Sequence, residues 1–297
     1  MEFRKDSPLI DLVIMLIGLI LLLVVVVISI LNAPTFSLIP AIQSLLEAAG
    51  TSLIAAGLVS FLLRQFYAER QRNEIQVVAT KRLTAEGKYT QKKYDAREKV
   101  DILGIALVGG LKEIANDLEQ KLLKHVLQES VQVRLMFLSP LAPYVQNRAK
   151  EEGRSFEDLE KDLKQSVIHC SSIFARLDRL YRQIAPQRPY AGRFEIRVID
   201  MCPHCTIFQA DDELFWGIYT SAERGDHCAV LQVPRQQEKV YNQLTQHFDA
   251  LWRLNSDVEK NCLLSYFDPQ GPLLNERLVE RILGSDWKSY LAQEIGR

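Results

Sequence analysis

The stretch FEIRVIDMCPHCTIFQADDELFWGIYTS, residues 194–221, decides how this 297-residue chain is read. Three apolar runs within it, FEIRVID, HCTIFQAD and ELFWGIYTS, carry the β-branched and aromatic residues that suit a pleated, half-buried surface. Short polar breaks separate them in a strand-turn-strand order. HCAVLQVP at 227–234 adds a fourth run of the same kind.

Upstream, KVDILGIAL (99–107) is a Val- and Ile-bearing strand, and VGG follows it. Leu111, Ile114, Leu118, Leu122, Leu123 and Val126 then keep helical spacing. SVQVRLMFLSP (130–140) is the next strand, ended by Pro140. A strand-helix-strand order predicts a parallel pair joined by a crossover. A helix over about 155–185, with Leu159, Leu163, Val167, Ile173, Leu177 and Leu180 on one side, is expected to cover one face of the sheet. Helices over about 235–255 and 276–293, separated by a loop with DPQGP, close the chain.

The N-terminal part reads differently. Residues 12–31, LVIMLIGLILLLVVVVISIL, contain no charge and are long enough to cross a hydrocarbon core of about 30 Å. Residues 38–63 form a second apolar stretch, charged only at Glu47. Arg4 and Lys5 precede the first and Arg64, Arg70 and Arg72 follow the second, which places both termini in the cytoplasm of a two-span integral membrane protein. Ten Lys and Arg against five Asp and Glu between Arg64 and Lys99 favour an anionic bilayer surface. Residues 1–99 carry +3 and the whole chain −1, leaving −4 for residues 100–297, so no strong nucleic-acid signal is read from charge. The expected organisation is an anchor at 1–66, a charged helix or hinge at 67–97 and a cytoplasmic α/β domain at 98–297, a mixed sheet flanked by helices.

CPHC (202–205) admits several chemistries. A redox pair needs its first cysteine at a helix N-terminus, where the helix lowers the thiol pKa; here TIFQADDELFWGIY, a strand pattern, follows instead. Zinc is an alternative if Cys202 and Cys205 converge with His227 and Cys228, four ligands of acceptable type at unusual spacing. Buried cysteines acting as small apolar side chains are the commoner case, and five cysteines in a reducing compartment are expected to be thiols. No cofactor is implied.

His204, Thr206 and Asp211 fit H-x-T-x-x-x-x-D, with Gly217 in the next run. Together with the flanking order of strands and helices, this resembles one half of a phospholipase D-like domain over roughly residues 95–255. That family carries H-x-K-x-x-x-x-D followed by a Gly-Ser pair. The resemblance implies His204 as a nucleophile that forms a phosphohistidine, Asp211 as a supporting group and Thr206 at the position of a lysine that neutralises phosphate oxygens. Thr206 carries no charge and Ile218 stands where the family has serine. Loss of such an electrostatic group costs about 2.7–4 kcal/mol in a transition state. The family uses two facing motifs and this chain has one, so a homodimer is expected.

The resemblance therefore points to a catalytically degenerate, membrane-anchored dimeric sensor or adaptor that binds a phosphorylated ligand. Were it active, it would be a phosphodiesterase of phospholipase D-like type, with Arg193, Arg197 or Arg134 supplying the missing positive charge. A zinc or thiol redox sensor through Cys202 and Cys205 is the third reading. Against all three stand the plainer roles: Asp211 and Asp212 as turn residues, and Phe215, Trp216 and Tyr219 as core.

Overall fold

The computed structural model describes residues 16, 17, 19, 20, 23, 24, 49, 50, 53, 54, 57, 58, 61, 74–79, 91–117, 119–184, 192–219, 227–267 and 271–289. The chain divides into two compact units, Met1–Asn73 and Glu74–Arg297. The second begins with β1 (Gln76–Ala79), β2 (Lys99–Gly104), α1 (Val108–Asn116), α2 (Lys121–Glu129) and β3 (Gln132–Leu138). It continues through α3 (Val145–Glu151), α4 (Phe156–Ile184), β4 (Arg193–Ile199), β5 (Cys205–Ala210), β6 (Glu213–Ile218) and β7 (Val230–Val233). It ends with α5 (Glu238–Leu254), α6 (Val258–Asn261), β8 (Cys262–Phe267), β9 (Gly271–Leu274) and α7 (Glu276–Leu283).

The nine strands among the described residues join one sheet in the order β1-β7-β6-β5-β2-β3-β4-β8-β9. The centre, β2-β3-β4, is parallel, and antiparallel strands extend it on both sides. The parallel strands are buried along almost their whole length because helices cover both faces. Side chains alternate between those faces. Ile102, Val133, Leu135, Phe137, Phe194 and Ile196 pack toward Leu111, Leu122, Val126, Leu163, Val167 and Leu177 of α1, α2 and α4. Leu103, Met136 and Ile207 pack on the opposite face against Phe248 and Leu251 of α5.

The mixed sheet with flanking helices stands as expected, but the fold class is corrected in its first half. Among the described residues no helix is long and apolar enough to cross a membrane. A span needs about 20 predominantly apolar residues in one helix. The 29-residue α4 has the length, but charges run through FEDLEKDLKQSVIHCSSIFARLDRLYRQI and its apolar side lies in the core. The stretches at 12–31 and 38–63 lie mostly outside the described residues. The expected two transmembrane helices, the integral membrane localisation and the bilayer as a partner are therefore not supported.

Three strands escaped the sequence reading. Gln76–Ala79, within the segment expected to be a polar helix, is a strand that pairs antiparallel with β7. β8 and β9 occupy much of the region expected to be a loop.

Candidate functional site

The parallel centre brings one set of loops to one end of the sheet. Leu138 N donates to Ile105 O at 2.9 Å, Ser139 N to Ile199 O at 2.8 Å and Tyr219 N to His204 O at 3.1 Å. The carboxyl ends of β2, β3 and β4, the start of β5 and the end of β6 therefore share a rim, the place where open α/β sheets bind ligands. The rim carries exposed Leu141, Tyr144, Met201, His204 and Ile218. Helix α1 starts there from Leu107 with no side-chain cap. Its first intrahelical bond is Leu111 N to Leu107 O, at 2.8 Å.

His204 is exposed at this rim, just ahead of β5. By the alternation along the strand it shares a face with Thr206 and Phe208, toward α1 and α4. Thr206 is buried, and its Oγ1 donates to Leu103 O at 3.0 Å. Gly217 faces it across the hairpin: a Cβ there would stand 2.8 Å from Thr206 Cγ2 and 3.1 Å from Ala229 O. The glycine of the pattern is thus required by close packing.

Asp211 lies at the far end of β5, seven residues from His204 and roughly 23 Å away at 3.3 Å per residue. Its φ is +49°, a left-handed conformation that Asp adopts more readily than most residues. Its carboxylate accepts from the amides of Arg97 and Glu98 at 2.9 Å each and of Lys99 at 3.0 Å. It joins the β5–β6 turn to the entry of β2. The structure therefore brings His204 and Thr206 to neighbouring positions and sets Asp211 apart from both.

The arginines expected to replace the lysine lie elsewhere. Arg193 opens β4 at the end opposite to the rim, over the ring of Phe267 at 5.5 Å. Arg197 points to the α5 face, three strand spacings from β5, or roughly 14 Å. Its guanidinium stacks on Trp252 at 3.9 Å and donates to Trp252 O at 2.8 Å, Asn255 O at 3.3 Å and Glu195 Oε2 at 2.8 Å. Arg134, also on the α5 face, donates to both carboxylate oxygens of Asp101 at 2.7 Å.

The cation that does approach the rim is Arg148 of α3, which the sequence reading missed. It is buried, lies over the Tyr219 ring at 5.2 Å and donates to Glu151 at 3.0 Å and Glu152 at 3.1 Å. Its Nη2 also lies near Glu152 but makes no hydrogen bond. Tyr219 is the cross-strand neighbour of His204, and its hydroxyl accepts from Ile105 N at 3.1 Å. Nothing in the polar helix pattern around Arg148 marks it out. Only the topology, which returns α3 over the end of β6, places it here.

The cysteines of CPHC do not act together. Cys205 is buried on the α5 face, and burial pushes its thiol up, with a hydrogen bond to Trp216 opposing. Cys202 is half-buried in the β4–β5 loop, and burial pushes its thiol up as well. Arg148 pulls it down, while Glu151 and Glu152 push it further up. A β-strand follows Cys205, so no helix terminus stabilises a thiolate. No two cysteines form a disulfide. Among the described residues no three His, Cys, Asp or Glu side chains come together as a metal cluster, so Cys202, Cys205, His227 and Cys228 do not converge.

No curated protein matches the sequence. Among solved structures the chain is similar to TrmBL2, an archaeal chromatin protein described as showing a novel mode of DNA binding. The identity is 16%, the TM-score 0.35, and the match covers 71% of this chain and 66% of that one, just under two thirds of its length. DNA binding is a property of that protein, and a likeness this low does not assign it here. Residues 75–255 match the domain of unknown function DUF5919, and the chain belongs to that family.

Proposed function

We propose that this chain is a catalytically degenerate phospholipase D-like domain, a sensor or adaptor that binds a phosphorylated ligand at the His204 rim without cleaving it. The observation that carries this reading is the fate of the other signature residues. The Thr206 proton is committed to Leu103 O, and the Asp211 carboxylate to three backbone amides about a strand length away. Phosphoryl transfer through His204 needs positive charge beside the accumulating anion, and Arg148 is already matched by Glu151 and Glu152. Binding alone asks for less. The uncapped start of α1 favours an anion, and the exposed apolar residues of the rim suit the remainder of a ligand.

Two measurements on the full chain test it. Incubation with bis(p-nitrophenyl) phosphate is expected to give no turnover and no phosphohistidine. Turnover that disappears in His204→Ala overturns the proposal in favour of a phosphodiesterase. A thermal-shift panel of inorganic phosphate, nucleotides and sugar phosphates is expected to yield a stabilising compound. One present at about 100 times its Kd adds about 2.7 kcal/mol, and the shift is expected to shrink in His204→Ala. No shift with any of them removes the ligand from the proposal.

A further inference from the structure

A cavity of about 610 Å³ lies between α6, β8, β9 and α7, within the size range of small-molecule sites. We infer that it binds a small amphiphilic anion, with the phosphate or carboxylate head held by Arg277 and Arg281 and the apolar body lying against Leu263, Leu273 and Leu278.

The lining carries Lys260, Arg277 and Arg281 against a single acid, Glu259. Lys260 is engaged by Asp257 at 3.3 Å. Arg277 and Arg281 stand one turn apart on the exposed side of α7, and neither has an ion pair among the described residues. Like charges at this spacing repel and weaken a helix, a cost that a bound anion removes. Two guanidinium groups also suit an oxyanion, since each presents paired N–H donors. Val279 and Ile282 bury the opposite side of α7 in the core, so the two arginines stand on an anchored element. Asn275 caps that helix by accepting from Leu278 N at 3.0 Å, and it donates to Val258 O and Glu259 O at 3.2 and 3.0 Å, which ties α7 to α6 across the cavity. The floor is neutral: burial keeps the Cys262 thiol protonated, and Ser265 lies beside it.

The cavity is formed wholly by residues 258–281, beyond the DUF5919 match. β8 is separated from β5 by β4, β3 and β2, so this site is independent of the His204 rim.

Calorimetric titration of the full chain at low salt with octyl phosphate, octanoate and octanol, each below its micellar concentration, tests the inference. Both anions are expected to bind, the tighter one identifying the preferred head group, and octanol at least about tenfold more weakly, as the loss of one charge-assisted hydrogen bond implies. The double variant R277Q/R281Q, altered only at exposed positions, is expected to lose about tenfold or more in affinity for the anions while its melting temperature holds or rises slightly as the repulsion is relieved. His204→Ala is expected to bind as the parent does. Failure of both anions to bind, octanol binding as tightly as octanoate, or undiminished binding by R277Q/R281Q overturns the inference.

Discussion

Asp211 shows how a residue of a catalytic pattern can serve the fold. The sequence located it at a strand-turn-strand boundary and gave it two roles, turn residue or support for His204. Spacing along one strand could not separate them, because the amides it binds belong to residues 97–99, more than a hundred positions earlier. Replacing Asp211 with Ala leaves three amides without their acceptor and forces a non-Asp side chain into a left-handed conformation. A loss of about 1–3 kcal/mol in urea unfolding is expected, the range for unsatisfied, partly solvated polar groups. Asp211→Asn keeps an acceptor and tolerates the positive φ, so it is expected to lose less than Asp211→Ala. Equal losses in the two variants would remove the clamp from the account. Thr206 teaches the same lesson in reverse, since its hydroxyl type was legible while its partner, Leu103 O on another strand, was not.

Helix α5 depends on two arginines that the sequence offered as ligand residues. Arg134 joins β3 to Asp101 on β2 and, at 2.9 Å, to Asp249 on α5, with Phe248 and Trp252 stacked near its guanidinium. Burial alone would lower the Arg134 pKa, but hydrogen bonds and charge from Asp101 and Asp249 hold it above its ordinary value. Arg197 satisfies carbonyls at the C-terminal end of the helix, where a cation is favoured. Arg134→Met leaves the buried Asp101 with only Lys99, 3.7 Å away, and is expected to cost about 3–5 kcal/mol. Adding Asp101→Asn is expected to recover about half of that or more. No recovery in a double-mutant cycle of urea melts would show that the pair does not carry the effect. The helix itself was legible in the sequence, as were α4 and the central strands. What it covers was not, because alternation along a strand does not say which face meets which helix. β8 was missed for a related reason: CLLSYF is a short continuous apolar run directly after a helical turn, without the polar breaks that mark the hairpin at 205–218.

Residues 74–297 form the second compact unit, with the sheet beginning at β1 and not at residue 98, where composition alone changes from mixed charge to apolar strand. The boundary was hidden because a four-residue edge strand with two exposed positions leaves little trace in a polar sequence. The same unit shields its cysteines, and this makes the fold sensitive to alkali. Cys262 is pushed from 9.0 up to about 11, first by burial and then by Glu195, and burial also raises Cys170, Cys202 and Cys205. Below about pH 8 these groups hold their protons both folded and unfolded, so their contribution to stability is complete. Above it the unfolded chain ionises while the folded one does not, and stability drains away until the folded groups ionise as well. Cys262 alone accounts for about 1 kcal/mol by pH 10, at 1.36 kcal/mol per unit. The urea midpoint is therefore expected to fall between pH 8 and pH 10, and to fall less in Cys262→Ala. An identical decline in that variant would assign the loss to other groups.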